Sequence, residues 1–399
     1  MIFKYKSISQ NGQIVEGFYE ANSEEDVVAM IKGNNQLPIS IERDIGRDAQ
    51  VELFKPRVKK KDLAVFCRQL YTMIDAGLSI VKSLDVLALQ TENKTLRNAI
   101  ISVNEEVQKG LVLSEAMKKH RKIFPSILIS MVEAGEVSGN LDIILERMAS
   151  HFEKENKLEN KVKGALLYPS VLIVVSIAVV IFMLVAVLPT FISMFEGSGA
   201  VLPGPTSLLI NISSSLKIYW YLYAAFVLIL GISMYIFNQS DMGRRFFDSL
   251  KLRVPIVKST SVKIITSRFT RTLATLISSG IPIIRAMEVV SRVVNNKLIE
   301  ERLTESIEAL RKGVPISRAV KDVGVFPPMV DSMIKIGEES GSLDDILNKT
   351  ADFYDDEVEA ALQKMTTLIE PLLIIGMALI IGFIVIAMTL PMFNMMGTI

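Results

Sequence analysis

Three stretches of the chain contain no Asp, Glu, Lys or Arg: Gly164 to Phe195 (32 residues), Ile218 to Ser240 (23) and Pro371 to Ile399 (29). About 20 apolar residues cross roughly 30 Å of hydrocarbon as a helix, so each predicts a transmembrane helix. The spans are placed at 168–192, 218–238 and 370–393. Pro169 and Pro189 stand 20 residues apart in the first, and Pro371 and Pro391 repeat that spacing in the third. A proline is tolerated in a first helical turn, where its missing N–H has no partner to lose. Pro169 and Pro371 are therefore expected at the span entrances, and the outer prolines at the last turn, as a stop or a kink. Tyr219, Trp220, Tyr221 and Tyr223 form an aromatic belt at one end of the middle span.

Between the spans the apolar pattern is helical. Leu63, Phe66, Leu70, Met73 and Ile74, then Ile80, Leu84, Leu87 and Ala88, recur at helix spacing without strand-like alternation. Glycines punctuate the pattern, and turns are expected at Gly77, Gly110 and Gly135–Gly139. Residues 1–45 differ. IFKYKSI and QIVEGFYEA alternate around Asn11-Gly12, a hairpin signal; Ser23 through Asp26 fits a capping box for a helix to about Ile31, and LPISIE reads as a last strand. That predicts a small ββαβ module with no cleavable signal sequence before it. Residues 46–61 read as a linker ending in Lys55, Arg57, Lys59, Lys60 and Lys61, either a solvated tether or a contact for anionic lipid or an acidic partner.

The chain also overlays itself. At an offset of 203, FCRQLYTMIDAGLSI from Phe66 meets FTRTLATLISSGIPI from Phe269, and Gly110 and Ser114 meet Gly313 and Ser317. At 202, FPSILISMVEAGEVSGNLDIIL meets FPPMVDSMIKIGEESGSLDDIL, and the proline pairs of the first and third spans superpose. Each copy is thus a helical bundle followed by a span, at 62–163 and 241–367, with about six helices per bundle. Both copies cross in one direction, so they are parallel and related by an axis along the membrane normal. The middle span is the return path after a connecting loop at 193–217.

Charge sets the orientation. Of the 87 charged residues only Glu196 and Lys217 lie outside 1–163 and 241–370. Arg147, Lys154, Lys157, Lys161 and Lys163 precede the first span, and Arg244, Arg245, Lys251, Arg253 and Lys258 follow the second. The positive-inside rule puts both charged stretches in the cytoplasm and the C-terminus outside. Mean hydropathy is +0.38 and net charge +1, which gives no basic field for nucleic acid.

Chemistry is sparse. One cysteine (Cys67) and two histidines (His120, His151) exclude a disulfide framework and give no basis for a catalytic triad or a paired metal site. No GxxxxGK[ST] cradles a nucleotide, and no cofactor is expected. Asp355, Asp356 and Glu359 are read as a solvated helix face before a cation site. In GEVSGN and GEESGS, Gly135 and Gly337 are expected to be the left-handed residues that end a helix, with Ser138/Asn140 and Ser340/Ser342 capping the next. A second role for this segment (Gly135, Glu136, Gly139; Gly337, Glu338, Gly341) is partner docking through exposed carboxylates. Glu370 stands beside Pro371 at the mouth of a charge-free span, where the first copy has Tyr168 beside Pro169. It either snorkels to the interface or acts as a functional carboxylate there.

Taken in order, these features resemble the PilC/GspF family, the inner-membrane platform proteins of type IV pilus and type II secretion systems. The resemblance covers nearly the whole chain: FKYKSISQNGQIVEGFYEANSEEDV, both FxRxLxTxIxxG openings, both FP…GE…SG segments, YPS and EPLL at the span entrances, and the terminal prolines. It implies an all-α membrane protein of two cytoplasmic bundles and three spans behind an N-terminal α/β module, in the bacterial inner membrane. It implies a non-enzymatic part driven by a cytoplasmic ATPase hexamer, acting on pilin or pseudopilin subunits beside other inner-membrane assembly proteins, as a homo-oligomer. The pilus is favoured over secretion. The copies depart from each other at Glu133, where the second has Lys335. A small duplicated transporter and a membrane-tethered adaptor are the competing classes.

Overall fold

Two units make up the chain, 1–57 and 58–399. The computed structural model describes residues 2–9, 14–20, 24–33, 36–43, 56–195 and 203–396.

In the first unit β1 (Ile2–Ser9) is flanked by β2 (Ile14–Glu20) and β3 (Gln36–Arg43), antiparallel on both sides. The register runs Ile2↔Glu20 to Ile8↔Ile14 on one side and Phe3↔Arg43 to Ser9↔Gln36 on the other. A bulge between Lys6 and Ser7 sets Ser7 opposite Pro38, a residue that cannot donate to a ladder and so belongs at an edge or a bulge. Between β2 and β3 lies α1 (Glu24–Gly33), which buries Val27 and Ile31. The Asn11-Gly12 turn and the Ser23 cap lie outside the described residues, as do residues 46–55 of the linker.

The second unit opens with α2 (Lys60–Asp75), followed by α3 (Ile80–Gln90), α4 (Lys94–Gln108), α5 (Leu113–Lys118) and α6 (Ser126–Ser138). Lys60 and Lys61 are not part of a tether. The Lys59 N–H donates to Asp62 Oδ2 at 2.9 Å, fixing the helix start ahead of them, and Lys60 Nζ lies 3.5 Å from Glu155. Next comes α7 (Leu141–Phe182), 42 residues that run from the bundle into the first span without a break. Pro169 is therefore inside a helix and not in its first turn.

A widened π turn, Met183–Val187, separates α7 from α8 (Leu188–Phe195). The ring of Pro189 would press on the carbonyl four residues back, Val185, and the wider turn sits at that point. The connection expected as a loop contains a helix, α9 (Gly204–Ile218), ahead of the middle span, α10 (Trp220–Gln239).

The second repeat is introduced by α11 (Asp241–Arg253) and continues as α12 (Pro255–Ser278), α13 (Ile283–Val293), α14 (Lys297–Arg311), α15 (Ile316–Asp322) and α16 (Pro328–Ser340). It closes with α17 (Leu343–Met396), whose 54 residues hold both Pro371 and Pro391 internally. At 1.5 Å per residue, α17 is a rod of about 80 Å.

One apolar core runs through both bundles, from Phe66, Leu70, Phe124 and Phe152 to Phe269, Leu273, Ile334 and Tyr354. The three spanning helices are long and apolar enough to cross a membrane, and α10 buries no side chain. Its apolar surface suits a lipid surround, because a helix satisfies its own backbone there.

Candidate functional site

The GE…SG segments form a corner in each repeat. Gly139 (φ 75°) and Gly341 (φ 68°) hold the left-handed conformation that ends α6 and α16. Gly135 and Gly337 do not, contrary to expectation; they are buried inside those helices where the next helix passes closest. A Cβ on Gly135 would lie 3.1 Å from Leu141 Cα, and one on Gly337 2.9 Å from Leu343 Cα. Among the described residues the expected side-chain caps do not form either. Asn140 caps α7 with its backbone alone, Ser138 Oγ turns back to the Gly135 carbonyl at 3.4 Å, and Ser340 and Ser342 pair with each other at 2.7 Å.

Glu136 and Glu338 are half-buried, not exposed. Glu136 accepts from the N–H groups of Leu113 (2.5 Å) and Ser114 (3.2 Å) at the start of α5, and Glu338 from those of Ile316 (2.6 Å) and Ser317 (3.0 Å) at the start of α15. Helix starts present unpaired N–H groups and positive potential, so a carboxylate there binds strongly. Each carboxylate thus ties its helix back to the start of the helix before it. This double use was missed because the spacing of 22 residues between acceptor and donor follows no local pattern.

The arginine of each FxR opening reaches the long helix of its repeat. Arg68 makes a forked bond to Glu153 at 2.9–3.0 Å on the surface. Arg271 bonds Asp352 (2.8 Å) and Asp355 (2.5 Å) from a buried position under α7. Nearby, Lys154 meets Asp352 at 3.5 Å, Lys161 pairs with Glu359, and Lys263 with Glu357 at 2.6 Å. Asp355 and Glu359, read as a solvated face, are thus partners in a charged seam. His151 and Glu155 are buried beside it. Burial, reinforced by Lys60, Arg271 and Lys154 against the opposing pull of Glu155, lowers His151 to about 4. Glu155 is lowered despite its burial, because Arg268 and Lys60 face it. Cys67 is fully buried, which pushes its thiol far up and leaves it inert.

Towards the membrane α7 and α17 stay side by side. Leu158, Val358 and Leu362 pack together, and Thr366 Oγ1 reaches the Ala165 carbonyl at 3.5 Å. That carbonyl lies four residues before Pro169, so the proline leaves it without its intrahelical donor. Just beyond, Tyr168 Oη donates to Glu370 Oε1 at 3.2 Å, joining the two span entrances. Pro169 is buried and Pro371 exposed. Farther along, the helices part around an apolar groove of about 310 Å³ lined by Ile173, Ile177, Ile181, Leu372, Gly376 and Ile380.

The groove ends where Leu184 and Leu188 meet Leu209, Ile384 and Met388. There α9 is pinned by two hydroxyls. Thr206 Oγ1 donates to the Ala387 carbonyl, and Ser213 Oγ to that of Leu184 at 2.6 Å. Ala387 is four residues before Pro391. Leu184 is five before Pro189, the separation of a π turn. The outer prolines thus free acceptors that α9 uses.

Among the residues singled out in the sequence, Pro169, Glu370 and Pro371 come together at this mouth, whereas the two corners lie in separate bundles. Tyr168 and α9 were not anticipated as partners; the proline pairs were the signal available for both.

The model of the family described as type II secretion system protein F matches residues 66–189 and 269–391, and that of its N-terminal domain residues 1–42. A type IV pilus assembly protein PilC of Myxococcus xanthus is 36% identical, over 100% of this chain and 95% of that protein. One of Thermus thermophilus is 37% identical, over 100% and 98%. A type II secretion system protein F of Vibrio cholerae is 30% identical, over 98% of each. The chain belongs to the type II secretion system protein F family.

Proposed function

We propose that this member of the family is an inner-membrane platform for type IV pilus assembly, without catalysis of its own, that passes force from a cytoplasmic ATPase hexamer to pilin subunits entering a filament. The observation that carries the reading is the pair of unbroken helices, α7 and α17, that join a rigid bundle to a membrane span. A load applied to either bundle reaches the bilayer without crossing a flexible hinge. The relatives named for pilus assembly favour that system, and those named for type II secretion supply the second reading, a platform for pseudopilins.

The groove between the spans is the proposed exit surface for a subunit's apolar helix. Leaving lipid for water costs roughly 25 cal/mol per Å² of apolar surface, so the helix must be covered as it leaves. Glu370, held by Tyr168, is the proposed contact for a cationic group on the subunit at the membrane surface. The Lys/Arg-rich flanks support a cytoplasmic placement of both bundles and an outward C-terminus. The corners at Gly135–Gly139 and Gly337–Gly341 are proposed to hold the docking faces in shape. Their glutamates cap helices, and contact falls to neighbours such as the exposed Val137 and Ile336.

The test is Glu370→Gln in a strain lacking the native gene. Normal membrane insertion with filaments abolished supports the reading. Normal filament numbers remove Glu370 from it, and purified chain hydrolysing ATP alone would overturn the platform role. Loss of a secreted enzyme with filaments intact would favour the secretion system.

A further inference from the structure

A cavity of about 300 Å³ lies where α7 of the first repeat meets α12 and α17 of the second. Arg147, His151, Lys154 and Arg271 line it, and among the described residues no carboxylate does. Two acids stand behind the wall, Asp352 against Arg271 and Lys154, and Asp355 against Arg271. Arg147 has no acidic partner among the described residues. Its Nη1 donates to Ser278 Oγ at 3.2 Å and Ser279 Oγ at 3.0 Å.

Two further groups are out of balance. His151 and Arg271 are only 3% and 5% exposed, yet His151 Nδ1 and Arg271 Nε have no hydrogen-bond partner among the described residues. Buried polar atoms are nearly always paired, so each unpaired one asks for an explanation. Comparing the repeats sharpens the point. Where the second has Ser278 and Asn348 on this lining, the first has Asp75 and Glu146. The second repeat thus lacks, on a lining where it faces the first, two acids that the first carries at the matching positions.

We propose that this cavity binds a small soluble phosphate-bearing anion between the guanidinium groups of Arg147 and Arg271, bridging the two repeats. Planar guanidinium groups recognise phosphate oxygens through paired, charge-assisted hydrogen bonds. The volume is at the small end of ligand pockets and suits a compact anion, not a protein segment. A lipid headgroup is disfavoured by position. His151 precedes the first residue of the charge-free stretch, Gly164, by 13 residues, or about 20 Å of helix. Because Arg147 and His151 come from one repeat and Arg271 from the other, a bound anion clamps α7 onto α12 and stiffens the junction. The inference does not rest on the platform reading.

Titration calorimetry of the full chain in neutral-lipid nanodiscs, with inorganic pyrophosphate as the probe, tests it. The expected result is saturable one-to-one binding. Ser278→Asp and Asn348→Asp, which put a carboxylate back into the lining, should each weaken it at least about tenfold. Both variants should keep or raise Tm, since the new acid pairs with an arginine; a merely structural lining would lower Tm and leave affinity alone. Equal affinity in wild type and both variants, or no saturable binding up to about 10 mM, overturns the proposal.

Discussion

Arg68 and Arg271 occupy the same place in the two repeats, and their surroundings differ. Arg68 grips Glu153 at the surface, with 40% of its side chain exposed. Arg271 makes the equivalent bond to Asp355 and a second to Asp352, with 6% exposed, because α7 of the first repeat covers it. One inherited contact thus holds a helix in the first repeat and a repeat junction in the second. Duplication supplied two similar frames, and the seam between them uses different surroundings for a shared arginine. Position 151 tells the same story: His151 is buried at the seam, and its counterpart Phe353 is 43% exposed.

The comparison is sharpest in Arg271→Ala against Arg68→Ala. Removing a buried partner strands the acids it paired, and because Asp352 and Asp355 keep access to water the cost should be about 2–3 kcal/mol. The surface pair should cost under about 1 kcal/mol. Denaturant unfolding in detergent measures both, and equal losses would break the comparison.

His151 comes next. Its folded-state pKa of about 4 lies below the ordinary 6.5, so the unfolded chain binds the proton more readily. The stability it contributes is present above pH 6.5 and is lost as pH falls towards 4. Between pH 7 and pH 5 that is about 2 kcal/mol. His151→Phe, which installs the second repeat's residue, should flatten this part of the stability–pH curve; an unchanged curve would show that His151 does not titrate on unfolding.

Prolines allow a smaller contrast. Thr206→Ala leaves the Ala387 carbonyl, freed by Pro391, unpaired, at a cost of about 1–2 kcal/mol. In a Pro391→Ala background the backbone N–H returns and the same substitution should cost less than about 0.5 kcal/mol. Equal costs in both backgrounds would show that the proline does not create the acceptor. The corners give a matched pair: Glu136→Gln and Glu338→Gln should each cost about 1 kcal/mol, and alike, since both cap a helix start with two N–H groups, and unequal losses on denaturant unfolding would break the match.

Much of the architecture was legible because it is periodic or repeated. The charge-free stretches announced the spans, the 202–203 offset announced the parallel repeats, and alternation around Asn11-Gly12 announced the strand pair. What escaped depends on contacts between distant segments. Composition cannot tell which glycine of GE…SG is left-handed, because Gly139 answers a backbone turn and Gly135 a helix so near that an added Cβ would stand 3.1 Å from Leu141 Cα. Nor does local pattern reveal that Glu136 reaches back to Leu113, or that α9 docks on carbonyls freed by Pro189 and Pro391. Pro169 was expected at a helix start because an interior proline loses a hydrogen bond; Thr366, from the other repeat, offers the compensating contact. At the membrane mouth Glu370 was visible as an isolated charge, but its partner Tyr168 was not, since tyrosines are common at interfaces.

Photocrosslinking from Ile177, inside the groove between α7 and α17, tests the central claim most directly. During filament assembly in cells, an adduct with the apolar helix of a filament subunit, identified by mass spectrometry and lost when the ATPase is inactivated, is the predicted result. Adducts confined to lipid or to the chain itself, with assembly proceeding normally, would contradict it.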